Sequence, residues 1–168
     1  PGLSTTTIFY MTRSAVTTAQ WNMPAPVIYT DGGFTVRKIA FGPGMHVVVG
    51  TVSSTNIPSI YDATFDLTTK TLGSFAMLIP GGSDPYLTAD GMHLYFDTPT
   101  ANGNALFVAS RRTPTEAFAP QVLLSELSSG DSVDTAPWVS SGGHTIYFGS
   151  KRGTATMPAL YTAQRMSF

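Results

Sequence analysis

The side chains best suited to chemistry in this sequence are three histidines at recurring places. His46 and His93 each lie two residues after a glycine, and His144 lies one residue after a glycine. Imidazoles hold zinc only when several ligands converge at about 2 Å from the metal. Because the histidines occupy matching turns in successive units of the chain, we expect them to be spread apart and exposed, without a bound metal.

Carboxylates are the second candidate for chemistry. A glycosidase needs two of them roughly 5 to 10 Å apart across a cleft, and no spacing here pairs two. Asp84, Asp90 and Asp134 instead belong to turns, where an aspartate accepts bonds from nearby backbone amides. The segment 97–104 offers oxygens to a cation but is interpreted as a plain turn-rich loop. With no Gly-x-Ser-x-Gly elbow, no calcium or phosphate loop and no cysteine, we predict no catalytic residue, metal or cofactor.

Composition narrows the class of partner. Charged residues make up 11% of the 168 residues and the net charge is −1, against roughly 25% charged residues in an average soluble domain. Nucleic-acid binding would need clustered Lys and Arg, so it is excluded. No apolar run approaches the roughly 20 residues that span a membrane. Pro1 is interpreted as a trimming scar rather than a catalytic amine.

The elements that must position these residues are strands. No segment keeps apolar residues at helical spacing over three turns, whereas 12 prolines and 16 glycines separate short β-branched and aromatic runs. Strands are predicted at 6–12, 24–29, 36–41, 45–52, 59–65, 71–79, 85–88, 92–97, 105–110, 121–124, 137–140, 145–149 and 159–164. One helical turn is predicted within 114–124. The strand at 45–52 is apolar throughout, which is typical of burial on both faces.

A repeat organises these strands. Gly44, Gly91 and Gly143 align at a turn, and the strands that follow read VVV, LYF and IYF. A period near 50 residues with four strands per unit is the propeller pattern, because only neighbouring blades can bury both faces of such a sheet. We predict an all-β fold, one β-propeller or propeller segment over 1–168 with about three four-stranded antiparallel blades. A partial repeat spans 6–33, and further repeats span 34–80, 84–124 and 134–165.

Two of these units resemble a known family. The string DPYLTADG at 84–91, followed by LYF, resembles the WD40-like repeat of the TolB type, a β-propeller repeat family. The string APWVSSGG at 136–143, followed by IYF and GSKRG, is similar to it. The resemblance covers 84–165, whereas Lys38 and Pro43 stand in the proline and aspartate positions of the earlier unit, and Gly142 replaces the turn aspartate of the last. It implies the propeller fold and little about function, since such propellers include envelope adaptors, peptidase gating domains and polysaccharide lyases.

Function is expected on the propeller face where the inner strands begin. The predicted ligand-binding residues there are aromatic, amide and charged: Arg37, Tyr86, Trp138, Asp84, Asp134, Asn102 and Arg152, with Asp31, Asn56 and Asn104 beside them. Such sets suit carbohydrate or peptide binding, unless Tyr86 and Trp138 simply pack between blades. We expect a non-catalytic binding or scaffold module for a protein or glycan partner, periplasmic or secreted. The alternatives are part of a carbohydrate-active enzyme, a glycosidase or lyase, and a purely structural module.

The number of blades raises the question of assembly. Edge strands are predicted at both ends, at 6–13 and 159–165, with almost no Lys or Pro to discourage pairing. Closed propellers typically have four to eight blades. We expect two copies to join end to end as a homodimer. The alternatives are membership of a longer propeller and closure between strands from both termini.

Overall fold

The fold is built of strands. The computed structural model describes residues 8–13, 15, 17, 20–29, 33–128, 133–153 and 156–165. In these residues the strands are β1 (Phe9–Tyr10), β2 (Ala25–Pro26), β3 (Ile28–Tyr29), β4 (Phe34–Phe41), β5 (His46–Ser53), β6 (Pro58–Asp66), β7 (Thr71–Pro80), β8 (Ser83–Leu87), β9 (His93–Thr100), β10 (Gly103–Ser110), β11 (Val122–Leu123), β12 (Asp134–Val139), β13 (Thr145–Ser150) and β14 (Ala159–Gln164). A single 3-10 turn at Pro43–Met45 joins β4 to β5. Within the described ranges there is no helix long and apolar enough to cross a membrane.

The strands form successive blades. Blade one has the order β3-β7-β6-β5-β4, blade two β11-β10-β9-β8 and blade three β12-β13-β14, and β1 pairs with β2 as a half-blade. Consecutive strands within a blade pair antiparallel, and β8 contacts both β4 and β12. The first strands of the three blades are therefore neighbours. The predicted all-β propeller segment is confirmed.

Each first strand carries a bulge at a matching position. The register shifts between Val36 and Lys38 in β4, between Ser83 and Tyr86 in β8, and between Thr135 and Trp138 in β12. Asp84 and Ala136 lie inside the last two bulges with positive φ values of 48° and 52°. Because a bulge re-aims the side chains beside it, these irregularities set the direction of the aromatic residues Tyr86 and Trp138.

Two hydrophobic clusters hold blade one to its neighbours. β5 sends Val47 and Val49 into a cluster shared with Val27 and the half-blade. It sends Val48 into a second cluster with Leu94 and Phe96 of blade two. The prediction of a strand buried on both faces at 45–52 is confirmed.

Three local predictions were wrong. The strand at 24–29 is split into β2 and β3, because the buried Val27 between them donates its amide to the Ile8 carbonyl. No helical turn forms in the described segment 114–124. A β-turn lies there instead, in which the Glu116 amide donates to the Thr113 carbonyl at 3.2 Å. The segment predicted as a loop at 97–104 is strand except for its tip at 101–102, because β9 and β10 pair up to Thr100 and Gly103.

Some sequence predictions fall on residues that the structure does not describe. They are the first two residues of the strand at 6–12, the turn at Asp31 and most of the loop at 128–131.

Candidate functional site

A cleft of about 1130 Å³ separates blades two and three at the β8–β9 and β12–β13 turns. Blade two contributes Tyr86, Asp90, His93 and Tyr95 to its walls, and blade three contributes Trp138, His144 and Arg165. A second recess of about 500 Å³ shares His93, Tyr95, His144 and Arg165 and adds Glu126, so it extends the same cleft.

The centre of the cleft is an aromatic cluster. The Tyr86 hydroxyl donates to the Val139 carbonyl oxygen at 2.6 Å and joins the two blades. Burial raises the pKa of Tyr86, which keeps the phenol a neutral donor. The Trp138 ring lies edge-on to Tyr86, with centroids 6.0 Å apart, and 5.3 Å from the centroid of Tyr147. Trp138 nevertheless stays 49% exposed, so it both packs between blades and faces the cleft.

Polar groups around the cluster are held at defined positions. The Asp90 carboxylate accepts from the Thr88 hydroxyl at 2.6 Å and from the Met92 amide at 2.9 Å. These bonds, led by that from Thr88, lower the pKa of Asp90. His93 Nδ1 lies 2.9 Å from the Ser110 hydroxyl, which leaves Nε2 for another partner.

Arg165 brings positive charge to the cleft. Its backbone amide donates to the His144 carbonyl at 2.8 Å, and its guanidinium makes no hydrogen bond or ion pair with the described residues. Burial raises the pKa of Tyr95, and the nearby guanidinium of Arg165 opposes that shift. The cleft therefore contains a cation whose hydrogen-bond donors are unused within the described chain.

A polar junction between blades two and three centres on Asp97, which the sequence analysis placed in a turn-rich loop at 97–104 and not in the interior. This residue is fully buried. Its carboxylate accepts from the Ser83 hydroxyl at 2.6 Å, from Asn104 Nδ2 at 2.7 Å and from the Ala136 amide of blade three at 3.2 Å. The one signal in the sequence is a carboxylate directly after the apolar run at 94–96.

The predicted site residues fall into separate groups. Of those whose positions are described, only Tyr86 and Trp138 line the cleft. Arg37, Asn56 and Asp84 line another recess of about 400 Å³ between blades one and two. Burial raises the pKa of Asp84, the neighbouring Asp97 adds to the rise, and Lys38 opposes it.

The other predicted residues take part in structure or lie at the rim. Asp134 is buried, 1% exposed, and accepts from Arg152 Nη2 at 3.0 Å. The Arg152 guanidinium also lies 4.9 Å from the centroid of the Phe148 ring, so the pair braces the interior of blade three. Asn104 bonds to Asp97, whereas Asn102 is exposed at the β9–β10 tip. Asp31 is outside the described residues.

The histidine prediction needs correction. His46 and His93 are partly buried rather than exposed, because His46 Nε2 pairs with Asp62 and His93 bonds to Ser110. His144 is exposed, as expected. Among the residues with described positions, no three His, Cys, Asp or Glu side chains are grouped to hold a metal ion.

Comparison with known proteins identifies the fold. No protein-family model and no curated protein sequence matches this chain. Among solved structures, it is similar to the crystal structure of TolB from Acinetobacter baumannii, with a TM-score of 0.52 and 18% sequence identity. The match covers 84% of this chain and 32% of the TolB chain, so this chain spans about a third of that protein's length. The fold is TolB-like. At this identity the likeness shows the fold alone.

Proposed function

We propose that this chain is a non-catalytic recognition module whose cleft between blades two and three binds part of a protein or glycan partner. The half-exposed ring of Trp138 is the observation that carries the proposal. Tyr86 and Tyr147 both pack against this ring. A rigid, half-exposed aromatic offers a large contact area at a small cost in side-chain entropy, which is why such residues dominate binding sites.

The chemistry around the cleft supports binding more than turnover. Ser110 and His93 have the spacing of a nucleophile and a base. Within the described residues, however, no carboxylate is hydrogen-bonded to His93 to orient it, which an activated serine requires. We therefore interpret the contact as one that positions the imidazole.

One observation favours the alternative of a carbohydrate-active enzyme. Asp84 has a raised pKa in the recess that also contains Arg37 and Asn56, and a protonated carboxyl group is what a general acid requires. Among the described residues, the carboxylate that raises the pKa of Asp84 by its charge is Asp97, which is fully buried and already accepts from three donors. A second accessible carboxylate is therefore missing from this recess among the described residues.

A matched pair of tryptophans tests the proposal. Trp21 is 50% exposed and Trp138 is 49% exposed, and Trp21 lies by the half-blade, stacked beneath Arg13. The protein and its Trp138→Ser and Trp21→Ser variants are applied to a glycan array and to a displayed peptide library. We expect ligands that lose about tenfold or more in affinity in Trp138→Ser and keep it in Trp21→Ser. If every ligand binds both variants equally, the cleft is not the binding site.

The same samples test the enzyme alternative. Array saccharides are incubated with the protein and with Asp84→Asn, and the products are separated by mass. We expect intact saccharides in both cases. Cleavage that Asp84→Asn abolishes, with the circular dichroism spectrum unchanged, would replace the binding proposal by a catalytic one.

We further propose a periplasmic or secreted setting for the module. The support is the low charged fraction, with polar surface supplied by uncharged residues. Cell fractionation of the source organism tests this setting, and recovery with cytoplasmic markers would contradict it.

A further inference from the structure

We infer that the cleft between blades two and three takes an uncharged oligosaccharide, with one sugar ring on Trp138 and its hydroxyls shared between Asp90 and Arg165. The inference rests on the proposed recognition function and specifies its ligand. It starts from the balance of charge in the cleft and its extension. Among the described lining residues, Arg165 carries a permanent positive charge, and Asp90 and Glu126 are the carboxylates.

The mixed signs disfavour strongly charged partners. A polyanion attracted to Arg165 would also meet the carboxylates of Asp90 and Glu126, and a polycation would meet Arg165. Like charges that face each other across a binding surface weaken binding. A neutral ligand with many hydroxyls avoids both penalties.

The hydrogen-bonding groups also fit hydroxyls. A carboxylate only accepts and a guanidinium only donates, whereas each sugar hydroxyl does both. The Asp90 carboxylate is fixed by two bonds to one oxygen, Oδ1, from Thr88 and Met92, and the residue remains exposed. Its other oxygen, Oδ2, is left to accept from a ligand, while Arg165 donates to a neighbouring hydroxyl.

Trp138 supplies the surface for a sugar ring. Its indole gives a flat apolar face, and its Nε1–H has no hydrogen-bond partner in the described part of the chain. The two faces of a sugar ring carry C–H groups that pack on such a surface, and a hydroxyl can accept from Nε1–H.

The wall beside Trp138 disfavours a peptide. Beside Trp138 the wall is formed by Ser140, Ser141, Gly142 and Gly143. Peptide recognition depends on side-chain anchors in desolvated pockets. These serines and glycines form no apolar pocket beside Trp138, and the apolar residues Val108, Leu124 and Ile146 line the extension instead. The volume of the cleft, about 1130 Å³, is large enough for more than one ring.

Isothermal titration calorimetry on the whole chain tests the inference with sugar probes of equal length and different charge. The neutral probes are cellohexaose, maltohexaose and mannohexaose. The charged probes are a mannuronate hexamer and a glucosamine hexamer, and a pool of unstructured peptides forms the third arm. We expect at least one neutral hexaose to bind with Kd of roughly 10 μM to 1 mM and both charged hexamers to bind at least about tenfold more weakly.

Variants locate that binding. Trp138→Ser should abolish it, and Asp90→Asn and Arg165→Gln should each weaken it about fivefold or more. Asparagine keeps an oxygen for the Thr88 and Met92 bonds, so Asp90→Asn retains the turn. The controls are Trp21→Ser and Arg112→Gln. Arg112 is exposed and lines neither recess, so both controls should bind as the natural sequence does.

The outcomes separate the inference from the proposed function. Trp138-dependent binding of peptides or of a charged hexamer, with no neutral hexaose bound, overturns the inference and leaves the recognition function in place. Neutral binding that Asp90→Asn and Arg165→Gln leave unchanged overturns the assigned hydroxyl contacts. If no probe in any arm binds in a Trp138-dependent way, both are overturned.

Discussion

The Asp97 carboxylate is one of the groups that join blades two and three. Replacing Asp97 by alanine leaves Ser83, Asn104 and the Ala136 amide without their acceptor in a buried place. Each buried donor that loses its partner costs about 1 to 3 kcal/mol, so we expect Asp97→Ala to lower the free energy of unfolding by about 3 kcal/mol or more.

Urea titration followed by circular dichroism measures this change. The control is Asn102→Ala, at the exposed tip of the same hairpin, which should change stability by no more than about 0.5 kcal/mol. Equal midpoints for the two variants would show that Asp97 does not hold the junction.

Residues of the site were predictable to the extent that the repeat determines them. Tyr86 and Trp138 stand at equivalent places in two units, and the repeat alone assigns both to inner strands. Asp97 was not predictable, because its burial depends on an amide 39 positions away in another blade. The pairing of Asp134 with Arg152 was missed for a similar reason. It depends on the register between β12 and β13, which is shifted by the bulge in β12.

At the level of elements, the turn glycines of the blades face different surroundings. Gly91 and Gly143 both have positive φ, at 71° and 72°. A Cβ on Gly91 would lie 2.8 Å from Pro43 Cδ in blade one, whereas a Cβ on Gly143 would have no atom within 4 Å. Gly143→Ala should therefore cost about 1 to 2 kcal/mol for the left-handed backbone alone. Gly91→Ala should cost about 1 to 3 kcal/mol more, because the blades are pushed apart.

Thermal unfolding of the two alanine variants measures the difference. A lower Tm for Gly91→Ala than for Gly143→Ala supports close packing between the first two blades. Equal values would mean that Pro43 moves away at no cost.

Most elements could be read from the sequence, and the exceptions have a common cause. Hairpin strands follow from alternation and turn residues, which are local. The parallel pairing of β3 with β7 joins Ile28 to Thr71, and no local pattern encodes a contact across that distance. The extension of β9 to Thr100 was missed because its proline and threonines resemble a loop, although its partner β10 supplies a complete ladder.

At the level of the whole molecule, the end-to-end homodimer remains a prediction. In the described part of the chain β14 pairs only with β13, and β1 only with β2. An apolar groove of about 570 Å³, which includes Phe9, Met11 and Phe41, lies beside the half-blade. Unpaired edges and exposed apolar faces both favour association. Light scattering after size exclusion should give twice the mass of 17.8 kDa, whereas a monomer at micromolar concentration that unfolds cooperatively would contradict the dimer.

The contrast between the two blade junctions has a consequence for how the chain folds and opens. Blades one and two share an apolar cluster, while blades two and three meet through the Asp97 and Tyr86 hydrogen bonds beside an open cleft. Stacked units of this kind open one at a time, and units with few buried apolar contacts to a neighbour open most readily. Blade three should therefore detach first and dock last. Amide hydrogen exchange should be faster along β13 than along β5, and equal protection of the two strands would mean that all blades open together.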